Sequence, residues 1–328
     1  MTLLSNPDIF VLDSTKLHDF RECPRKFFYT HVLGWTKPSY HLRVGAIWHK
    51  AMELVWNGHF SDDARDAALD ALVRLWDEEF SDTPREVLVL MSPKTLPNLL
   101  RALAIYVEQY RGRVEYEVLF TETGGTISLG GGRTLAFKMD AIVNTPDGIT
   151  AYDFKTSGYV LGTAWAQQWT LSYQVSAYLT VLHCLFGEAN RINGIVIDGV
   201  CFRNPPRTKK DGGVYANDKD IEFMRVPVRR TAEALSSWVV NVRRWYDAVF
   251  NEFELLQATN LEEDQALKAF PYDDTGCGNW GGCPYFMLCC ARHNPLHHID
   301  DMPQGFTKRI WNPLTEINEH NQIMIEVK

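Results

Sequence analysis

Two short segments, Lys138-Met139-Asp140 and Tyr152-Asp153-Phe154-Lys155-Thr156, carry residue types that can do phosphate chemistry. Side chains alternate along a strand, so Asp153 and Lys155 project from one face, and an adjacent strand can set Asp140 beside them. Carboxylate oxygens suit hard cations such as Mg2+ or Mn2+. A pair of such ions roughly 3.5–4 Å apart can clamp the attacking and leaving oxygens of a phosphodiester. Lys155 would orient the attacking water or stabilise negative charge in the transition state, and removing one preorganised donor of that kind costs about 3–4 kcal/mol of barrier. Taken alone, the D-x-K pattern reads more simply as two strand-end turn residues and a solvated charge.

Further residues fit the same chemistry. Gly45-Ala46-Ile47-Trp48-His49 places an imidazole on a helix. Imidazole is a further ligand type for these cations, although a lone helical histidine is more commonly packed or solvated. Gln174 and Tyr178 stand four residues apart on one helix face, after the Asp153 strand, and Tyr178 could equally belong to the core. Glu117 lies on an earlier strand whose alternation can face the same place.

The seven cysteines are unevenly spread. Cys184 and Cys201 are isolated in apolar surroundings and read as core thiols. Cys277, Cys283 and Cys289 form C-x5-C-x5-C, Cys290 can replace Cys289, and Cys23 near the N-terminus can supply a distant fourth thiolate. Four thiolates hold either an iron–sulfur cubane or Zn2+, and zinc sites more commonly use tighter pairs. A cross-link spanning roughly 250 residues stabilises a fold by on the order of 5 kcal/mol on loop-closure grounds, so a structural role suffices. Reduced, unliganded thiols are the remaining alternative.

The elements that must position these groups follow from periodicity. Asp13 or Ser14 caps a helix from about Thr15 that carries Cys23. Helical patterns then cover Gly45–Trp56, Asp62–Phe80 and Leu96–Arg111. Strands are predicted over Val114–Glu122 and Thr126–Val143 around the turn Gly130-Gly131-Gly132, and over Ile149–Phe154 after Pro146-Asp147-Gly148. One long helix over Trp165–Phe186, a strand Asn193–Phe202, a polar loop Asn204–Gly213, a strand Ile221–Val228 and a helix Thr231–Leu256 follow. Beyond Phe270 periodicity fades. The expectation is one α+β domain over residues 1–328: a mainly helical part to 113, a core over 114–256, and a cysteine segment and tail over 257–328.

The chain of 328 residues is 45% hydrophobic, enough for a proper core and too apolar for disorder. With 33 Lys and Arg against 41 Asp and Glu, the net charge of -8 offers no global field for a polyanion. Any nucleic-acid surface must be local, and Arg203, Arg207, Lys209 and Lys210, then Arg225, Arg229 and Arg230, then Arg243 and Arg244, are the basic candidates. Trp165, Trp169 and Tyr173 could stack unpaired bases or be core. No G-x-x-x-x-G-K-[ST] phosphate loop occurs, which argues against a built-in helicase of that type. Met1–Phe10 lacks a basic then apolar leader and no run is long enough to span a bilayer, so a soluble cytoplasmic protein is expected.

Taken as an ordered set, G-x-x-x-H, a strand Asp, D-x-K-T and Q-x-x-x-Y resemble the RecB-like branch of the PD-(D/E)XK nuclease superfamily. The resemblance covers about Ser14–Tyr178 plus the terminal cysteines. It implies a restriction-endonuclease-like core, a central mixed β-sheet flanked by helices. It implies that His49, Asp140 and Asp153 bind metal, that Lys155 assists hydrolysis, and that Gln174 and Tyr178 support substrate or site geometry. The phrases around Cys23 and Cys283-Pro284-Tyr285-Phe286 are similar to those of Cas4-like and AddB-like iron–sulfur nucleases. There one N-terminal cysteine joins three C-terminal ones. Two departures stand out: Phe137 replaces the small residue that leads into the second motif, and the Cys277–Cys283 gap is longer than usual. The implied activity is exonucleolytic, on single-stranded or frayed DNA ends, in recombination, repair, phage DNA processing or CRISPR adaptation. A DNA-end-binding scaffold with the same fold and no catalysis is the alternative.

Overall fold

A computed structural model describes residues 2–113, 115–187, 189–203, 220–260, 262–278, 282–316 and 322–326. The chain begins with β1 (Leu12–Asp13), α1 (Ser14–Glu22), α2 (Pro24–Phe27), β2 (Trp35–Thr36), α3 (Tyr40–Asn57), α4 (Asp62–Phe80), α5 (Arg85–Leu90) and α6 (Leu96–Tyr110). It continues through β3 (Glu117–Gly130), β4 (Arg133–Thr145), β5 (Gly148–Ser157), α7 (Thr163–Gln167), α8 (Tyr173–Phe186), β6 (Ile192–Phe202) and β7 (Ile221–Val228). The last elements are α9 (Ala232–Gln257), α10 (Phe286–Ala291), β8 (Thr307–Lys308) and β9 (Gln322–Glu326). Two compact units result, one of Met1–Pro38, Gly124–Lys138 and Thr231–Lys328, the other of Ser39–Thr123 and Met139–Arg230.

In the second unit, β5 is the central strand. It pairs antiparallel with β4 and parallel with β6, and β6 pairs antiparallel with β7. A parallel neighbour requires a crossover, and α7 and α8 supply it. Ser39 caps α3 by accepting from Leu42 N–H, and Ser61 caps α4 by accepting from Ala64 N–H, with Asp62 and Asp63 in the first turn against the helix dipole. The apolar stripes of α3, α4 and α6 bury Trp48, Trp56, Leu72, Leu103 and Tyr106 against Tyr152, Phe154 and Phe202 of the sheet. The sheet is thus mixed and flanked by helices.

In the first unit, Asp13 caps α1, its Oδ1 accepting from Lys16 N–H at 2.7 Å, and β1 runs parallel to the start of β4. β9 runs parallel to the end of β3. Pro24 stops α1 at Glu22, so Cys23 stands between α1 and α2 rather than inside one helix. Arg25 ties α2 to the C-terminal segment through Nε to Phe270 O (2.8 Å) and its own N–H to Pro271 O (3.0 Å). Phe27 stacks on Phe270 with ring centroids 5.7 Å apart.

Several sequence expectations change. The break expected between Glu122 and Thr126 does not exist: β3 runs through it, with Glu122 at φ +46°. Gly130, Gly131 and Gly132 do form the turn, each at positive φ (+79°, +61°, +78°), a run that only glycine adopts without strain. The long helix over Trp165–Phe186 is two helices, because Ser172 restarts it by capping Val175 N–H. Cys201 is buried as expected, whereas Cys184 is exposed in the last turn of α8. No helix among the described residues is long and apolar enough to cross a membrane.

Most of the basic candidates are engaged within the fold. Arg203 pairs with Glu222, Arg229 bonds Asn193 Oδ1 at 2.5 Å, Arg230 donates to Ser176 Oγ at 3.2 Å, and Arg243 donates to Leu129 O. Arg225 is no surface phosphate contact: its Nε meets the buried Asp198 at 3.0 Å and its guanidinium lies 3.6 Å over the Tyr110 ring. Arg244 is exposed, and Arg207, Lys209 and Lys210 lie outside the described residues.

Removing one partner of a buried pair leaves an uncompensated charge, at about 3–5 kcal/mol. Arg225→Met is therefore expected to lose about that much stability in urea unfolding, and Arg225→Met with Asp198→Leu to recover much of it.

Candidate active site

The site begins where β4 parts from β5. Among the described residues their register ends at Ala141–Tyr152, so from Asp153 onward β5 has a strand partner on the β6 side only. Side chains fill the other edge. Phe154 N–H donates to Asp140 Oδ2 at 2.7 Å, and Phe154 C=O lies 2.7 Å from His49 Nε2. A carbonyl only accepts, so His49 carries its proton on Nε2. Its Nδ1 then faces Asp140 Oδ1 at 3.3 Å.

Asp153 and Lys155 share a face as the alternation requires. Lys155 Nζ donates to Asp153 Oδ1 at 2.9 Å and lies 2.7 Å from Oδ2. Depth separates the four groups: the Asp140 and Asp153 side chains are 9% and 3% exposed, while those of His49 and Lys155 are 27% and 25% exposed. The carboxylates form the floor, and the imidazole and ammonium reach toward solvent.

Burial by itself would raise Asp140, but His49, Lys155 and the Phe154 N–H outweigh it and hold the carboxyl below its usual range. Asp153 moves the other way. Burial and the neighbouring Asp140 charge raise it, against the pull of Lys155. For Lys155 and His49 burial opposes the charged form, and the surrounding carboxylates overcome it and raise both.

Glu122 completes the group and was missed by sequence reasoning, which had placed Glu117 here. One ligand atom each from His49, Glu122 and Asp140 lie within 4.8 Å of one another, whereas Glu117 is exposed at the start of β3. The positive φ of Glu122 breaks the alternation, so that Glu122 and Thr123 are both buried. Such strain costs about 1–3 kcal/mol and gathers at functional positions. A Glu ending an alternating run just before Gly124-Gly125 was the available signal, since glycine in a strand marks a bulge. An imidazole nitrogen and two carboxylates are a donor set that fits a divalent cation of the Mg2+ or Mn2+ kind.

The crossover helices flank this face. Gly199 is the register partner of Lys155, and a Cβ there would stand 2.5 Å from the Trp165 ring, so the indole lies directly on the β6 backbone. Trp165 meets Trp169 edge-on at 5.6 Å, and Lys155 Nζ lies 5.7 Å from the Trp169 ring centroid. Both indoles are half-buried. Gln174 Nε2 donates to the buried Tyr178 hydroxyl at 2.9 Å, so the two are brought together on α8.

The cysteines converge in the first unit. Cys23, Cys277, Cys283, Cys289 and Cys290 line one cavity of about 290 Å³ with Lys26, Tyr285 and His293. Burial and the neighbouring thiols raise Cys277 and Cys283, and Cys289 is pushed up to about 11 by burial and by Cys23, Cys283 and Cys277, against Arg25. Cys290 is exposed. Five thiols line this one cavity, and thiolate is the donor type that a metal or an iron–sulfur cluster takes.

Residues 14–290 match the PD-(D/E)XK nuclease superfamily. A solved structure described as "Crystal structure of SSO0001" is similar over 67% of this chain and 80% of that one, at 16% identity and a TM-score of 0.28. No curated protein matches significantly. The mixed, helix-flanked sheet is consistent with the restriction-endonuclease-like core of such nucleases. A family match of that extent, over a strand edge already seen to gather His49, Asp140, Asp153 and Lys155, makes the chain a member of the PD-(D/E)XK nuclease superfamily.

Proposed function

We propose that the protein is a divalent-metal-dependent DNA nuclease of the RecB-like branch that degrades single-stranded or frayed DNA from its ends, with a structural iron–sulfur cluster. The observation that carries the reading is the convergence of His49, Glu122 and Asp140 beside the Asp153–Lys155 pair. His49, Glu122, Asp140 and Asp153 are the residues that would hold Mg2+ or Mn2+. When bound, such an ion neutralises phosphate charge and acidifies a water.

The chain's own groups do the rest. Asp153 orients the Lys155 ammonium, which donates to a non-bridging phosphate oxygen as negative charge grows there. In hydrolysis the water oxygen bonds to phosphorus and gives up a proton to solvent, the bond from phosphorus to the sugar oxygen breaks, and that leaving oxygen takes up a proton from solvent. The Gln174–Tyr178 pair steadies the start of α8, whose preceding turn holds Trp169 over Lys155. Half-buried indoles beside the ammonium support a substrate with unpaired bases, because every base presents a π-face to stack.

Five thiols lining one cavity support the cluster, with Cys23, Cys277, Cys283 and Cys289 as its four ligands. The half-buried Cys289, electrostatically linked to the other three, suits the fourth position better than the exposed Cys290.

Digestion of end-labelled and circular DNA tests the activity. Wild type is expected to release label with Mg2+ or Mn2+, to stop in EDTA and to spare circles. Lys155→Ala should lose about 100- to 1000-fold in rate, from one missing preorganised donor. Equal cleavage by Lys155→Ala, or none by wild type, contradicts the reading. For the cluster, anaerobically purified protein should hold iron and acid-labile sulfide, and Cys23→Ser should lose both and melt earlier. Stoichiometric zinc without iron contradicts it.

A further inference from the structure

Resting on that reading of the site, we propose that Lys94 is a positioning residue that sets the place of Lys155 by gripping the next residue, Thr156. Lys94 lies in the segment before α6 and is 4% exposed. Its Nζ donates to Thr156 O at 3.1 Å and to Thr156 Oγ1 at 3.0 Å. The carbonyl of Lys94 accepts from the hydroxyl of Tyr40, the first residue of α3, the helix that carries His49. Thr156 Oγ1 is 3.7 Å from where a Cβ on Gly45 of that same helix would stand. One residue, by its carbonyl on one side and its ammonium on the other, therefore joins α3 to the end of the D-x-K-T strand.

The pattern along β5 gives this contact its meaning. Residues two apart in a strand turn their N–H and C=O groups to the same edge, so Phe154 and Thr156 both address the edge that β4 has left. Asp140 takes the Phe154 N–H, His49 takes the Phe154 carbonyl, and Lys94 takes the Thr156 carbonyl. Three side chains stand in for the departed strand, two of them in the candidate metal group. Lys155 lies between the two held residues, and its backbone is fixed from both sides.

An ammonium is a costly way to fill space. Burial pushes Lys94 down to about 8, so a packing role would be met better by an apolar side chain of similar length. What methionine would lack is the pair of donors to Thr156.

The test is DNA cleavage by wild type, Lys94→Met, Thr156→Val and the double variant, with melting temperature and circular dichroism recorded for each. Misplacing a reacting group by about 1 Å costs on the order of 100-fold in rate. Lys94→Met is therefore expected to lower kcat about 10- to 100-fold while KM stays within about threefold, with the melting temperature close to wild type. Thr156→Val should lower kcat less, and the double variant should fall short of the product of the two effects, as contacting residues do. Wild-type kcat in Lys94→Met, strictly multiplicative effects, or a loss that merely follows unfolding would overturn the proposal. An inactive wild type would instead overturn the nuclease reading and this proposal with it.

Discussion

One residue, Phe154, holds the candidate site together. Its side chain is buried in the helix-facing core, and its backbone is clasped by Asp140 at the N–H and His49 at the carbonyl. Both groups flanking it in sequence, Asp153 and Lys155, turn to the opposite face. The same strand thus anchors in the core and displays the charged pair, and the two side chains that pin it belong to the donor set for a cation. A carboxylate and an imidazole replace a β-ladder rung because β4 diverges from β5 there. Without the divergence, backbone pairing would satisfy Phe154, and Asp140 would have no hydrogen-bond reason to turn toward it.

Electrostatics follows from that geometry. Acidic groups at different depths are pushed apart: Asp140, bonded to His49 and a backbone N–H, stays ionised at lower pH than usual, while Asp153, beside it and deeper, is raised. Like charges packed in low dielectric are tolerated when cations sit among them, and Lys155 beside Asp153 is one that the chain itself provides. In the first unit, burial and the neighbouring thiols raise Cys277, Cys283 and Cys289, while Arg25, Phe27 and Phe270 hold Cys23 and the cysteine segment together by ordinary packing and hydrogen bonds.

Much of this was legible in the sequence, and the failures have physical causes. Strict alternation through Asp153 and Lys155 marked their shared face, and the cap residue Asp13 marked the start of α1. Glu122 was hidden because its left-handed backbone cancels the very alternation that pattern reading relies on. The pause between α7 and α8 was invisible because Trp165–Phe186 keeps helical spacing across the Ser172 cap. Arg225 and Lys94 were illegible for a deeper reason: each is a buried cation whose partners, Asp198 and Thr156, come from distant sequence, and isolated basic residues read as surface.

The central claim is that His49, Glu122 and Asp140 form one cation site beside Asp153 and Lys155. Crystals soaked in Mn2+ and measured for anomalous scattering test it most directly. The account predicts a single strong site, or a close pair, with ligands at roughly 2.0–2.3 Å including His49 Nδ1 and the Asp140 and Glu122 carboxylates, absent in Asp140→Asn. Anomalous density elsewhere with none among these residues, or a site unchanged in Asp140→Asn, would contradict it.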